Sequence, residues 1–170
     1  MAVVNRKSGV ITNRDAVPRV LNNPGAMGGA LIGFAGTVET VATDDINSTY
    51  RMAQVPSNAV MHSLRLYSDD IGSSAAAADV GIYRTTDDGG AVVDADVFAS
   101  AVNLNAGALE GTDLLNESKV TAWGFEDAET MLWQALGLTA DPKVMYDIVI
   151  TATGAIDAVA TLTLRGSYAQ

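Results

Sequence analysis

The stretch that most constrains the fold is residues 59–84, which reads AVMHSLRLYSDDIGSSAAAADVGIYR. In residues 60–67 successive side chains alternate between two faces with a period of two, as in a strand with one buried face. Residues 79–84 repeat this alternation, and turn-forming residues separate the two runs. We predict two neighbouring antiparallel strands of a β-sandwich, joined by an exposed loop.

The rest of the chain indicates more of the same architecture. Residues 146–151 and 158–165 alternate in the same way around Gly154, which predicts a hairpin. Residues 126–136, EDAETMLWQAL, have apolar side chains at three- and four-residue spacing, which predicts a short helix. We expect loop at 105–117 and further strands at 37–43, 50–55 and 119–123. Residues 91–93 and 96–104 are expected to be strand or a short irregular segment. The predicted fold is therefore all-β: a jelly-roll-like β-sandwich with one short helix.

The N-terminal residues differ from the rest of the chain. Residues 1–36 show no sustained period and are interrupted by Pro18, Pro24 and several glycines. This composition predicts an extended N-terminal arm without a packed helix. We therefore divide the chain into an arm, residues 1–36, and a β-sandwich domain, residues 37–170.

Charge is distributed unevenly between these parts. The net charge is −10, but residues 1–25 hold four basic residues against Asp15, so 4 − 1 = +3. An acidic body disfavours nucleic-acid binding, which needs clustered Lys and Arg, and no apolar run is long enough for a membrane helix. The arm could bind an acidic protein surface, or it could be a disordered tail whose charge has no role. The candidate partner-binding residues are Arg6, Lys7, Arg14 and Arg19.

The residues offer little for catalysis. Cysteine is absent, and the one histidine, His62, shares a predicted strand face with Leu64, where a structural role in the core or an interface is favoured. Paired carboxylates at 44–45, 69–70 and 87–88 stand in predicted turns, which explains them without acid–base chemistry. A calcium site that includes the 87–88 pair is less favoured than a solvated turn. We expect no catalytic residue, no cofactor and no metal, and hence no enzyme.

Three segments resemble structural proteins from the virions of tailed bacteriophages. They are YRMAQVPSNAVMHSLRLYSDD at 50–70, ADVGIYRTTDDGGAVVDADVFASAVNL at 78–104, and residues 132–169, which contain LGLTADP and YDIVIT. The chain is similar in particular to capsid decoration, or cement, proteins, which are β-sandwich subunits on the outer capsid lattice. The N-terminal arm shows only a general likeness to these proteins and shares no specific segment with them.

The resemblance implies a function. It implies a homo-trimer or homo-dimer that binds the major capsid protein on the outer surface of the virion and stabilises the expanded head. Alternatives are another virion component, such as a head fibre base or a tail protein, or a carbohydrate-binding module or sandwich enzyme. For carbohydrate binding, Tyr67 and Tyr83 are the aromatic residues expected to share a neighbourhood.

Overall fold

Eight strands form two four-stranded antiparallel sheets in the part of the chain that the computed structural model describes. The described residues are 7–22, 24–25, 27–71, 76–105, 107–115, 123–124 and 127–170. The strands are β1 (Leu31–Glu39), β2 (Thr49–Pro56), β3 (Val60–Ser68), β4 (Ala77–Arg84), β5 (Val92–Asn103), β6 (Leu109–Asp113), β7 (Met145–Ala152) and β8 (Thr161–Ala169). Two short helices are α1 (Gly9–Asp15) and α2 (Leu132–Ala135). The prediction of an all-β sandwich is confirmed.

The order of the strands defines the topology. It is β1-β8-β3-β6 in one sheet, here sheet A, and β2-β7-β4-β5 in the other, sheet B. Along the chain, every connection crosses from one sheet to the other except the one between β4 and β5. This order is that of an eight-stranded jelly roll.

The two predicted strand pairings are wrong. β3 lies between β8 and β6 in sheet A, whereas β4 lies between β7 and β5 in sheet B. The predicted hairpin at 146–165 is likewise split, because β7 belongs to sheet B and β8 to sheet A. Alternation indicates which face of a strand is buried, and that face is covered by the side chains of the facing sheet. It does not indicate which strand lies beside it in its own sheet.

The core lies between the sheets and is built from alternate residues of the central strands. Burying these branched side chains on both inner faces supplies the main favourable free energy of folding. Side chains with no exposed surface include Leu64, Leu66, Leu162 and Leu164 from sheet A, and Val80, Ile82, Ile148 and Ile150 from sheet B.

A β-bulge at His62 changes which residues of β3 face the core. The pairing of β3 with β8 shifts between Met61 and Ser63, so His62 is the extra residue. Met61 and Leu64 are buried while His62 is exposed, so the prediction that His62 shares the buried face of Leu64 is wrong. Its Nε2 lies 3.0 Å from the carbonyl oxygen of Gly25, so this ring nitrogen does have a hydrogen-bonding partner.

A larger bulge covers part of the outer face of sheet B. Val80 pairs with Ala99 but Ile82 pairs with Asp94, so four residues of β5 stand opposite Gly81. A Cβ atom on Gly81 would overlap the backbone of Ala95, and this position therefore requires glycine. The protein thus covers this part of the sheet with its own chain.

The predicted arm contains more regular structure than expected. β1 begins at Leu31 rather than at residue 37, and all of its residues pair with β8. α1 occupies seven residues of the segment predicted to be extended, although none of its residues is buried and it is therefore not a packed helix. The prediction of a wholly extended arm is therefore wrong.

Three other segments also differ from the prediction. β6 lies within the segment predicted as loop; it has no buried residue, so no alternation marked it. α2 is shorter than the predicted helix, because the Asp127 side chain accepts the Gly124 N–H at 3.0 Å and closes a turn instead. Trp123 is not in a strand, and residues 119–122 of the strand predicted there lie outside the described residues. Among the helices described here, none has the length and apolar character needed to cross a membrane.

Candidate functional site

The N-terminal arm, meaning here the described residues before β1, is organised by its own polar side chains. None of the residues of α1 is buried. The Thr12 hydroxyl donates to the Ser8 carbonyl oxygen at 2.9 Å, and the Asn22 amide donates to the Val10 carbonyl oxygen at 3.1 Å. The Asn13 amide donates to the Asn22 side-chain oxygen at 3.0 Å and folds residue 22 back onto α1. A seven-residue helix is marginal in isolation, so these contacts account for it.

Two of the four predicted partner-binding residues are paired within the arm. Lys7 Nζ and Arg14 Nε each lie 2.8 Å from an oxygen of Asp15. The hydrogen bond from Arg14, followed by that from Lys7, lowers the pKa of Asp15 to about 2. Arg6 lies outside the described residues, while Arg19 is exposed and forms no ion pair with any residue that the structure describes. The cluster of Lys7, Arg14 and Asp15 keeps a net charge of +1, and Arg19 adds a second positive charge that has no ion pair among the described residues.

Exposed apolar residues flank Arg19 in the sequence, and the charge pattern alone did not indicate them. Val17 is 98% exposed and Leu21 is 85% exposed, and Val20 is exposed as well. Isolated exposed apolar residues are ordinary, but several within one short segment are typical of a protein-binding surface. The signal in the sequence was the run AVPRVL, in which Arg19 is the sole charged residue. We call Val17, Arg19, Val20 and Leu21 the arm tip.

The arm is attached to one end of the sandwich. Gly25 is buried, and its backbone packs against the Val60 side chain at the start of β3. The hydrogen bond from His62 Nε2 to the Gly25 carbonyl oxygen fixes the same point. Gly9 lies beside the Glu129 carboxylate, near α2. The arm tip is therefore presented from the end of the molecule at which β3 begins and β8 ends.

The outer face of sheet A is largely polar, with hydroxyl-bearing side chains beside Arg165 and Tyr67. Its hydroxyl groups pair across strands: Thr37 with Thr163 at 3.0 Å, and Ser63 with Ser167 at 2.8 Å. Between these pairs the Arg165 guanidinium lies over the Tyr67 ring, 5.3 Å from its centroid. Further small residues on the same face are Gly33 and Ala35.

The paired carboxylates make both local and long-range contacts. Asp44 Oδ2 accepts the Val41 N–H at 3.0 Å, Asp69 Oδ2 accepts the Thr161 N–H at 3.0 Å, and Asp88 pairs with Arg84 at 2.7 Å. The Asp44 contact spans three positions and closes a turn as predicted, and the Asp88 contact spans four, whereas Asp69 joins the end of β3 to the start of β8. Within the described ranges, no group of three potential metal ligands lies together.

A cleft of about 420 Å³ opens between β5 and β6, the edge strands of the two sheets. Its walls are mostly apolar, with Val102, Leu109 and Leu114 among them, and Asp113 is its ionisable lining residue. A single carboxylate in an open cleft does not form the facing pair that general acid–base catalysis on a glycoside uses.

The two tyrosines considered for carbohydrate binding are apart. Tyr67 lies on the outer face of sheet A, whereas Tyr83 belongs to β4 of sheet B, where it is nearly buried and contacts the Thr151 hydroxyl at 2.8 Å. The expectation that they share a neighbourhood is wrong, because their strands lie in different sheets.

Fold and site together define an eight-stranded jelly-roll protein with a basic and apolar arm. Neither the family models nor the curated proteins include a match to this chain. Among solved structures, a chain of the cyanophage Pam1 capsid asymmetric unit is similar, with a TM-score of 0.56 and 18% identity, covering 91% of this chain and 96% of that one. At this identity the similarity concerns the fold.

A second similar chain comes from the acidic stable capsid structure of the Helicobacter pylori bacteriophage KHP30. It is 16% identical, with a TM-score of 0.45, and the match covers 83% of this chain and 92% of that one.

Proposed function

We propose that this protein is a phage capsid decoration (cement) protein, which binds the outer surface of the major capsid protein lattice and stabilises the expanded head. The observation that supports this most strongly is the jelly-roll fold, shared almost end to end with a chain of the cyanophage Pam1 capsid. The resemblance of residues 50–70, 78–104 and 132–169 to virion proteins points the same way. The proposed role is structural and involves no catalysis.

The proposed mechanism is stabilisation by mass action. A protein that binds the expanded shell and not its precursor lowers the free energy of the expanded state. Repetition of the site over an icosahedral lattice multiplies a modest affinity at each site, provided that each subunit bridges neighbouring capsomers. The contacts between capsomers that result would resist the internal pressure of packaged DNA.

The arm tip is the segment that we assign to partner binding. Arg19 supplies a charge without a described ion partner, and Val17 and Leu21 supply apolar area that the sandwich leaves exposed. A net charge of −10 on the whole chain disfavours contact with DNA, which suits a position on the outside of the shell.

Cosedimentation with purified capsids tests the proposal. We expect binding to expanded capsids and little binding to unexpanded ones. Deleting residues 1–22 removes the arm tip but keeps Gly25 on Val60, so the sandwich stays covered at that point. This deletion should weaken binding, whereas Val92→Ser, which changes an exposed residue outside the arm, should not.

Two results would contradict the proposal. Equal binding of the deletion variant and the full chain would exclude the arm tip as the binding segment. Immunogold labelling of intact particles that marks tails rather than heads would assign the protein to another virion component.

A further inference from the structure

The end of the sandwich opposite the arm has a rigid double loop. The β1–β2 loop and the β7–β8 loop are joined by backbone hydrogen bonds: Thr40 N–H to the Ala160 carbonyl at 2.8 Å, and Asn47 N–H to the Ala152 carbonyl at 2.8 Å. Ile156 also donates its N–H to the Asp44 carbonyl at 2.9 Å, and its side chain is buried beneath the loops. We call residues 39–48 and 153–160 the loop platform.

Three aliphatic side chains project from this platform. Val41 is 54% exposed, Ile46 is 53% exposed and Val159 is 67% exposed. The Thr40 hydroxyl donates to the Ala158 carbonyl at 3.0 Å, which joins the residue before Val41 to the residue before Val159. Apolar side chains held outward on a fixed backbone lose little conformational entropy when a partner covers them, so this surface suits binding.

The platform is also uniformly acidic. Its charged residues are Glu39, Asp44, Asp45 and Asp157, and it contains no Lys or Arg. Its complement would be a surface that is both apolar and basic. The arm tip has that chemistry, with Val17, Val20 and Leu21 around Arg19.

The arm tip cannot reach the platform of its own chain. Gly25 is held at the end where β3 begins, and the platform lies at the other end of β1, a nine-residue strand. Nine strand residues span about 30 Å. When fully extended, the four residue steps from Gly25 back to Leu21 span at most about 14 Å and the eight back to Val17 at most about 29 Å. The hydrogen bond between Asn13 and Asn22 folds the arm back and shortens this reach. A second copy of the chain must therefore supply the arm.

We propose that the loop platform binds the arm tip of a second copy, so that subunits associate head to tail. This inference rests on the proposed function in that it takes the arm tip as a partner-binding segment, but it needs no capsid. A head-to-tail contact uses two different surfaces, so it generates a closed ring or an open chain. The opposite charges of the two surfaces make the contact weaker as salt increases.

Sedimentation velocity on the isolated full-length protein tests the proposal. A contact of this small area is weak, so measurement should extend to about 100 µM protein. We expect association that depends on concentration and decreases with added salt. The arm variant Val17→Ser/Leu21→Ser and the platform variant Ile46→Ser/Val159→Ser should each remain monomeric. The control Val92→Ser, at a valine that is 56% exposed outside both surfaces, should associate like the unaltered chain.

Mixing the two variants gives the sharpest outcome. The arm variant keeps an intact platform and the platform variant keeps an intact arm, so a mixture should form a heterodimer with one copy of each that cannot grow further. Circular dichroism of each variant before mixing checks that it is folded.

Three results would overturn the proposal: a monomeric unaltered chain at the highest concentration, a mixture that stays monomeric, or a platform variant that associates normally. Loss of capsid cosedimentation by the platform variant with unchanged self-association would instead assign the platform to the capsid. Because self-association is measured without capsids, its failure is distinguishable from a failure of the proposed function.

Discussion

Replacing Leu64 by alanine tests the packing of the two sheets. Leu64 is central in β3 and has no exposed surface. The substitution removes three carbon atoms, and at about 0.8 kcal/mol for each buried carbon the loss of transfer free energy is about 2.4 kcal/mol. The cavity left behind raises this cost, because the neighbouring central strands cannot collapse fully. The expected loss in the free energy of unfolding is therefore about 2–5 kcal/mol.

Leu31→Ala is the matched control. It makes the same chemical change in a strand of the same sheet, but Leu31 is 64% exposed, so we expect a loss within about 0.5 kcal/mol. Urea unfolding followed by tryptophan fluorescence measures both variants at low protein concentration, since self-association would add to apparent stability. A loss below about 1 kcal/mol for Leu64→Ala, or equal losses for the two variants, would refute the assignment of β3 as a central strand with its inner face in the core.

Three further predictions concern single contacts. Gly36→Ala should destabilise the fold by about 1–3 kcal/mol in urea, because its Cβ would overlap the Met52 carbonyl oxygen; an unchanged midpoint would contradict this close approach of β1 and β2. The Val41 N–H and, after it, the Tyr50 hydroxyl at 2.7 Å lower the pKa of Asp44 by donating hydrogen bonds to its carboxylate. Tyr50→Phe removes the second bond, so the pKa of Asp44 should rise in an NMR titration, and an unchanged pKa would contradict that bond. The Asp15 carboxylate should titrate near pH 2 by NMR, so its contribution to arm stability should persist above its ordinary pKa and vanish as the pH falls through about 2; a midpoint near 4 would contradict the ion pairs.

What the sequence could predict depends on whether a strand has one buried face. β3 was predicted over residues 60–67 and is observed at Val60–Ser68, because Leu64 and Leu66 fill the core while Arg65 is exposed. β6 was missed because it is an edge strand with no buried residue, so its side chains show no period. A strand with one buried face has a sequence of alternating apolar and polar residues, whereas a strand without a buried face lacks this pattern.

The candidate site was predicted in part. The charge difference between residues 1–25 and the rest of the chain led to the prediction of a partner-binding arm, which stays a prediction. Its internal pairing was not predictable, since Lys7 and Asp15 are eight positions apart and meet because α1 forms between them. The loop platform was also missed, because its two loops are over 100 residues apart in the chain and are joined by backbone hydrogen bonds that no residue type indicates.

The connections between strands show why pairing could not be predicted locally. The three residues between β2 and β3 carry the chain across to the other sheet, whereas the seven residues between β4 and β5 make the hairpin, so loop length does not separate the two cases. The short crossing is stabilised from far along the chain: the Leu132 and Trp133 N–H groups donate to the Ala59 and Ser57 carbonyls at 2.8 and 2.9 Å. α2 thus satisfies backbone acceptors that a hairpin would have paired within itself. Because this partner lies some 70 positions away, turn formers near residue 57 could not indicate which sheet the next strand would enter.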